Sequence, residues 1–109
     1  MELNTLFIIL ISYFIGSIPF AFLLTKFFGY GDIRKIGSGN VGATNVLRTG
    51  KKSLAVVVLL LDIFKGYLPI TLLSFFYYMQ IELNEIIYFS SFVIIGHIFP
   101  IWLKFKGGK

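Results

Sequence analysis

Charge vanishes from this chain in three long stretches. Residues 6–24 contain no Asp, Glu, Lys or Arg, and a helix of that length rises roughly 28 Å, close to the hydrocarbon thickness of a bilayer. Residues 54–79 form a second apolar stretch, interrupted by Asp62, Lys65 and Pro69, and residues 86–103 form a third containing Gly96, His97 and Pro100. Each reads as a transmembrane helix. The pattern therefore predicts an all-α, polytopic helix bundle. Residues 1–109 form one membrane domain, with spans over 6–25, 54–79 and 86–103 and a polar connection over 26–53.

Composition agrees with this. Of 109 residues 57% are hydrophobic and 14% charged, and the mean hydropathy is +0.87, whereas a soluble domain carries about 25% charged residues. A cleaved signal peptide does not fit the first stretch, because Glu2 precedes it and no Lys or Arg does. Gly16 and Pro19 suit a packed, slightly kinked span. The basic residues set the orientation. Lys26, Arg34, Lys35, Arg48, Lys51 and Lys52 lie in the first connection and Lys104, Lys106 and Lys109 at the end of the chain, while the second connection carries Glu82 and Glu85 and no base. The positive-inside rule places the first connection and the C-terminal end in the cytoplasm and the N-terminus outside.

The same inventory removes several chemistries. With no cysteine, one histidine and five scattered acids, disulfide scaffolds and thiolate metal sites are excluded, and no metal or other cofactor is expected. The net charge of +5, set among long apolar runs, points to anionic lipid or a small phosphorylated ligand rather than nucleic acid.

The first connection is the most informative segment. It reads Gly37-Ser38-Gly39-Asn40-Val41-Gly42-Ala43-Thr44-Asn45-Val46-Leu47-Arg48. Closely spaced glycines let backbone N–H groups converge on an anion. Ser38, Asn40, Thr44 and Asn45 add neutral hydrogen-bonding groups, and Arg48 a planar fork suited to phosphate. A solvated, idle hairpin is the plain alternative, but the connection is longer than paired helices need. Gly37, Gly39 and Gly42 also match the dinucleotide fingerprint, with Asp62 at the matching distance. That reading fails because the charged residues before Gly37 cannot form the buried strand it requires.

Three other polar features stand out. Asp62 and Lys65, three apart on one helix face, can neutralise each other; a packing role and a functional role both fit. His97 lies near the cytoplasmic end of the third span, either as a helix-contact residue or as a ligand or catalytic group. Gly107-Gly108-Lys109 is not a Walker loop, because Leu103 stands where its first glycine would be. It can wrap a phosphate, or simply lie beside anionic headgroups.

Taken together these segments resemble the bacterial integral-membrane glycerol-3-phosphate acyltransferases that use acyl phosphate as donor, the PlsY family. The matching stretches are Gly16-Ser17-Ile18-Pro19, Gly37 to Arg48, Asp62-Ile63-Phe64-Lys65-Gly66, and Gly96-His97-Ile98-Phe99-Pro100 through Phe105-Lys106-Gly107-Gly108-Lys109. They match about the first half of a family member, so truncation at the C-terminus is expected. The resemblance implies the first acylation of phospholipid synthesis: acyl transfer from a fatty acyl phosphate to glycerol 3-phosphate, giving lysophosphatidate and phosphate. It places this in the bacterial inner membrane, with membrane lipids and the soluble enzyme that makes acyl phosphate as partners. It also implies Ser38, Arg48 and His97 as catalytic residues, with Gly37, Gly39, Asn40, Gly42, Thr44, Asn45, Gly107, Gly108 and Lys109 binding substrate phosphate. His97 would orient or deprotonate the hydroxyl, unless a donor phosphate oxygen takes the proton. The His-x4-Asp acyltransferase mechanism is excluded, because Trp102 occupies the Asp position. Two rivals remain: a small anion transporter or channel subunit, and an inactive truncated acyltransferase.

Overall fold

The computed structural model describes residues 3–77 and 83–108. All regular structure among them is helical: α1 (Leu3–Gly16), α2 (Phe20–Phe27), α3 (Ala43–Arg48), α4 (Lys52–Tyr77) and α5 (Leu83–Ile98), with short 3-10 turns at Ile33–Lys35 and Ile101–Leu103.

The first expected span is two helices, not one. α1 and α2 are bent by 41° at a break over residues 17–19. Pro19 lacks an N–H and disfavours a helical Ile18, so the ladder stops and restarts with Pro19 as the residue before α2. No single described helix is both long and apolar enough to cross a membrane, although the bent pair meets that length and composition together. α4 runs through Pro69 for 26 residues; the last two residues of the expected second span, 78 and 79, lie outside the described residues. The third expected span ends as a helix at Ile98. Pro100 follows, and the remainder of 86–103 is the Ile101–Leu103 turn.

α1 packs chiefly on α5, at a contact made by two glycines. A Cβ on Gly16 would collide with the Val93 carbonyl, and one on Gly96 with the backbone at Tyr13 and Ser17. Small residues at such a point let helix backbones touch, the main source of attraction where lipid removes the hydrophobic drive. Two side-chain bonds close the end of this pair: Tyr13 Oη donates to the Phe99 carbonyl at 2.7 Å and Trp102 Nε1 to Ser17 Oγ at 3.0 Å.

The first connection is folded rather than a loose hairpin. Ile33, Val41 and Val46 are buried with Ala21, Ala55, Val58 and Leu103 in one apolar cluster, so the connection seals the end of the helices. Elsewhere the pattern inverts, and Phe7, Leu10, Phe14, Leu59, Leu60, Ile63, Phe64 and Ile94 are exposed. Such broad outward apolar faces suit contact with lipid.

Candidate active site

The glycine connection takes its shape from one side chain. Asn45, only 1% exposed, stands in the short helix α3 and points back into the loop. Its Nδ2 lies 2.8 Å from the Ile36 carbonyl, 3.1 Å from Asn40 O and 3.3 Å from Ile33 O, and its Oδ1 accepts from the Ser38 N–H at 3.2 Å. Gly37 (φ +53°) and Gly39 (φ +75°) turn the chain through the left-handed region. A Cβ on Gly37 would strike Asn45 Oδ1, and one on Gly39 would come within 2.9 Å of the Arg34 carbonyl. These glycines are therefore explained by the clamp as well as by any ligand. Gly42 precedes α3 with an extended backbone. Ser38 is exposed, and its Oγ accepts from the Asn40 N–H at 3.3 Å.

The chain end folds back over α5. At Lys104 (φ 54°) and Phe105 (φ 65°) the backbone is left-handed, a conformation that costs a non-glycine residue roughly 1–2 kcal/mol. The turn carries Gly107 N–H to the Ile98 carbonyl at 2.9 Å and Gly108 N–H to the His97 carbonyl at 3.0 Å. Both amides thus cap α5, satisfying carbonyls the helix leaves open. A Cβ on Gly107 would meet the His97 carbonyl, and one on Gly108 the His97 imidazole. Glycine is required here by close approach to α5.

Between these two segments lies a cleft of about 500 Å³, lined by Arg34, Ser38, Gly39, Asn40, Phe105, Lys106, Gly107 and Gly108 with Ile98 and Phe99. Thus Ser38, Gly39, Asn40, Gly107 and Gly108, expected from the sequence to share a site, do meet. Thr44 and Arg48 are exposed on α3 and line none of the clefts described here; Lys109 lies outside the described residues. The basic side chains at the cleft are instead Arg34 and Lys106. Arg34 is paired with Asp32, Nη2 to Oδ2 at 2.7 Å and Nε to Oδ1 at 3.0 Å. Hydrogen bonding from Arg34 holds the Asp32 carboxyl down at about 2.

Beneath Gly108, α4, α5 and the break between α1 and α2 contribute to one polar chain. Lys65 on α4, 3% exposed, places Nζ 3.0 Å from Asp62 Oδ1, 3.1 Å from the Ile18 carbonyl and 2.9 Å from His97 Nδ1. Sequence spacing reveals the Asp62–Lys65 pair but not its link to His97, 32 positions away, nor to a carbonyl exposed by the break at Pro19. An apolar groove of about 400 Å³ leads from these three side chains along α4 and α5, lined also by Ile63, Gly66, Val93, Ile94 and Ile98. Among the described residues no group of three or more His, Asp or Glu side chains can hold a metal.

One helical frame thus holds a basic glycine cleft and an apolar groove together with a buried Asp–Lys–His chain. Over residues 6–109 the chain matches the sequence profile of the glycerol-3-phosphate acyltransferase family, and it belongs to that family. It is 56% identical over 109 residues to the glycerol-3-phosphate acyltransferase of Bartonella henselae, covering 99% of this chain and 51% of that protein. To the Pelagibacter ubique enzyme of the same name it is 55% identical over 105 residues, 95% of this chain and 52% of the relative. Among solved structures it resembles PlsY, described as an integral membrane glycerol 3-phosphate acyltransferase. For the glycerol 3-phosphate form the TM-score is 0.82 at 36% identity, covering 96% of this chain and 51% of that one. For the lysophosphatidic acid form it is 0.80 at 34%, covering 96% and 50%. The chain spans about half the length of the curated relatives it matches. Like its solved relatives, it is a membrane chain.

Proposed function

We propose that this chain carries the phosphate cleft and His97 site of an acyl-phosphate-dependent glycerol-3-phosphate acyltransferase. The observation that supports the reading above all is the meeting of Ser38, Gly39 and Asn40 with Lys106, Gly107 and Gly108 around one cleft beside His97. Both substrates bear phosphate. A phosphate oxygen about 4 Å from a cation is attracted by roughly 4 kcal/mol at an effective dielectric of 20. Lys106 and Arg34 provide such cations at the cleft, whereas Arg48, Thr44 and Lys109 enter the site by resemblance alone. Asn45 contributes by holding the loop that presents Ser38. The apolar groove past Gly66 takes the fatty chain, and a chain lying there has its head at His97.

The chemistry asks little more than positioning, because the acyl phosphate is already activated. The glycerol 3-phosphate hydroxyl forms a new bond to the acyl carbon, the bond from that carbon to the phosphate oxygen breaks, and the hydroxyl proton moves to His97 or to the departing phosphate. Lysophosphatidate and phosphate result. In the cell this places the chain as a multi-pass protein of the bacterial inner membrane, drawing acyl phosphate from a soluble enzyme, with the N-terminus outside and both cleft segments cytoplasmic. Three spans, the first being the bent α1–α2 pair, fit the charge pattern.

The test is reconstitution of the chain in sealed lipid vesicles with palmitoyl phosphate and labelled glycerol 3-phosphate. The reading expects saturable glycerol 3-phosphate binding and labelled lysophosphatidate with matching phosphate release. Transport of the labelled solute into vesicles with no acylated product would overturn it in favour of an anion carrier.

A further inference from the structure

The contacts of Lys65 carry information about the proton on His97. A lysine ammonium has three N–H donors and no acceptor. Here it has three partners, the Asp62 carboxylate, the Ile18 carbonyl and His97 Nδ1, and it also lies 5.6 Å from the centre of the Phe20 ring, a contact that favours the cation. With an ammonium opposite, Nδ1 can only be the accepting nitrogen, and in a neutral imidazole the proton then sits on Nε2. The Nε2 edge faces Gly108, the residue whose missing Cβ leaves room for the ring. No described residue accepts from it.

We propose that Lys65 is a positioning residue that fixes His97 as the Nε2–H tautomer, so that His97, beneath Gly108 at the head of the apolar groove, offers a hydrogen-bond donor and not a proton acceptor. The inference rests on the acyltransferase reading and narrows it. His97 Nε2–H then stabilises negative charge developing on the acyl or phosphate oxygen. The hydroxyl proton leaves with the other product: the glycerol oxygen bonds to the acyl carbon, the acyl–phosphate bond breaks, and the freed phosphate oxygen takes the proton. The break at Pro19 has a role in this arrangement, since it exposes the Ile18 carbonyl that accepts from Lys65 Nζ. Asp62, one turn before Lys65 on α4, keeps the ammonium charged in a buried place.

His97 is the sole histidine in the sequence, so ring-15N labelling reports it without assignment. In nanodiscs, neutral His97 is expected to show a protonated Nε2 and a bare Nδ1. Lys65→Met should weaken this preference so that Nδ1–H appears beside Nε2–H, whereas Lys65→Arg, which keeps a cationic donor, should retain it. In turnover, Lys65→Met should lower kcat by roughly 100-fold, the scale of one preorganised donor, with KM for glycerol 3-phosphate little changed, and Lys65→Arg should recover part of kcat. A wild-type protein carrying Nδ1–H, or a Lys65→Met protein with the tautomer unaltered, would overturn the proposal. The wild-type spectrum alone decides the first of these, even if the methionine variant does not fold. The two readings fail separately: Nδ1–H in an active protein removes the role of Lys65 alone, and Nε2–H in a protein that makes no lysophosphatidate removes the acyltransferase reading while the Lys65–His97 coupling stands.

Discussion

Replacing Asn45 with alanine removes a buried clamp without emptying the apolar cluster around it, since Ile33, Val41 and Val46 stay in place. The amide has two N–H donors for three carbonyls, at Ile33, Ile36 and Asn40, and its oxygen accepts from Ser38 N–H. That amounts to three full hydrogen bonds, worth about 1 kcal/mol each, or about 3 kcal/mol for the loop. At about 1.4 kcal/mol per tenfold, the open loop should become on the order of a hundredfold more populated. Amide hydrogen exchange in nanodiscs reads this directly: Ser38 N–H should exchange correspondingly faster, while the amides in the middle of α4 stay protected. Asn45→Asp is the sharper variant. It retains the acceptor for Ser38 but sets a carboxylate against three carbonyl oxygens, so the loop should open at least as far. Glycerol 3-phosphate binding should weaken with both, because Ser38 is no longer held at the cleft. If exchange at Ser38 stays at the wild-type rate while binding is lost, Asn45 touches the substrate and the clamp reasoning fails.

Other substitutions probe different parts of the structure. Gly96→Ala drives a methyl into the α1 backbone and should cost about 1–3 kcal/mol, seen as a lower thermal unfolding midpoint; Gly66→Ala, inside α4 and meeting open space, is the control that should hold or raise it. Gly108→Ala places a methyl against the His97 imidazole and should lower kcat more than it raises KM for glycerol 3-phosphate; a change in KM alone would mean that Gly108 acts on the substrate and not on the ring. Gly66→Phe should fill the groove between α4 and α5 and shift kcat/KM toward shorter acyl phosphates, and an unaltered chain-length profile would place the fatty chain elsewhere.

Several site features depend on proximity that local spacing does not encode. Ser38, Gly39 and Asn40 were expected beside Gly107 and Gly108, and the cleft contains all five. The reason for the second pair of glycines differs from the expected one, because their amides cap α5 and their bare Cα atoms admit His97. Arg48 carried the phosphate fork in the sequence reading, yet Arg34 and Lys106 line the cleft. All three belong to the same basic clusters, and nothing local distinguishes a cation aimed inward from one aimed at solvent. The Lys65–His97 contact joins two helices, and no periodicity announces such a pair.

The sequence alone determined the helical class, the apolar stretches, the glycine connection and the Asp62–Lys65 pair, because each depends on neighbours within about two helical turns or on bulk hydropathy. It also foreshadowed Pro19 as a bend, but not one that divides the first stretch into two helices. Tertiary structure decided the rest. It packed the polar connection as a lid with its own buried side chains, brought the chain end back over α5, and joined Asp62, Lys65, His97 and the Ile18 carbonyl. The physical reason is common to all of these: in a chain so rich in apolar residues, buried polar groups must find partners wherever the fold places them, and that placement is a property of the assembled helices.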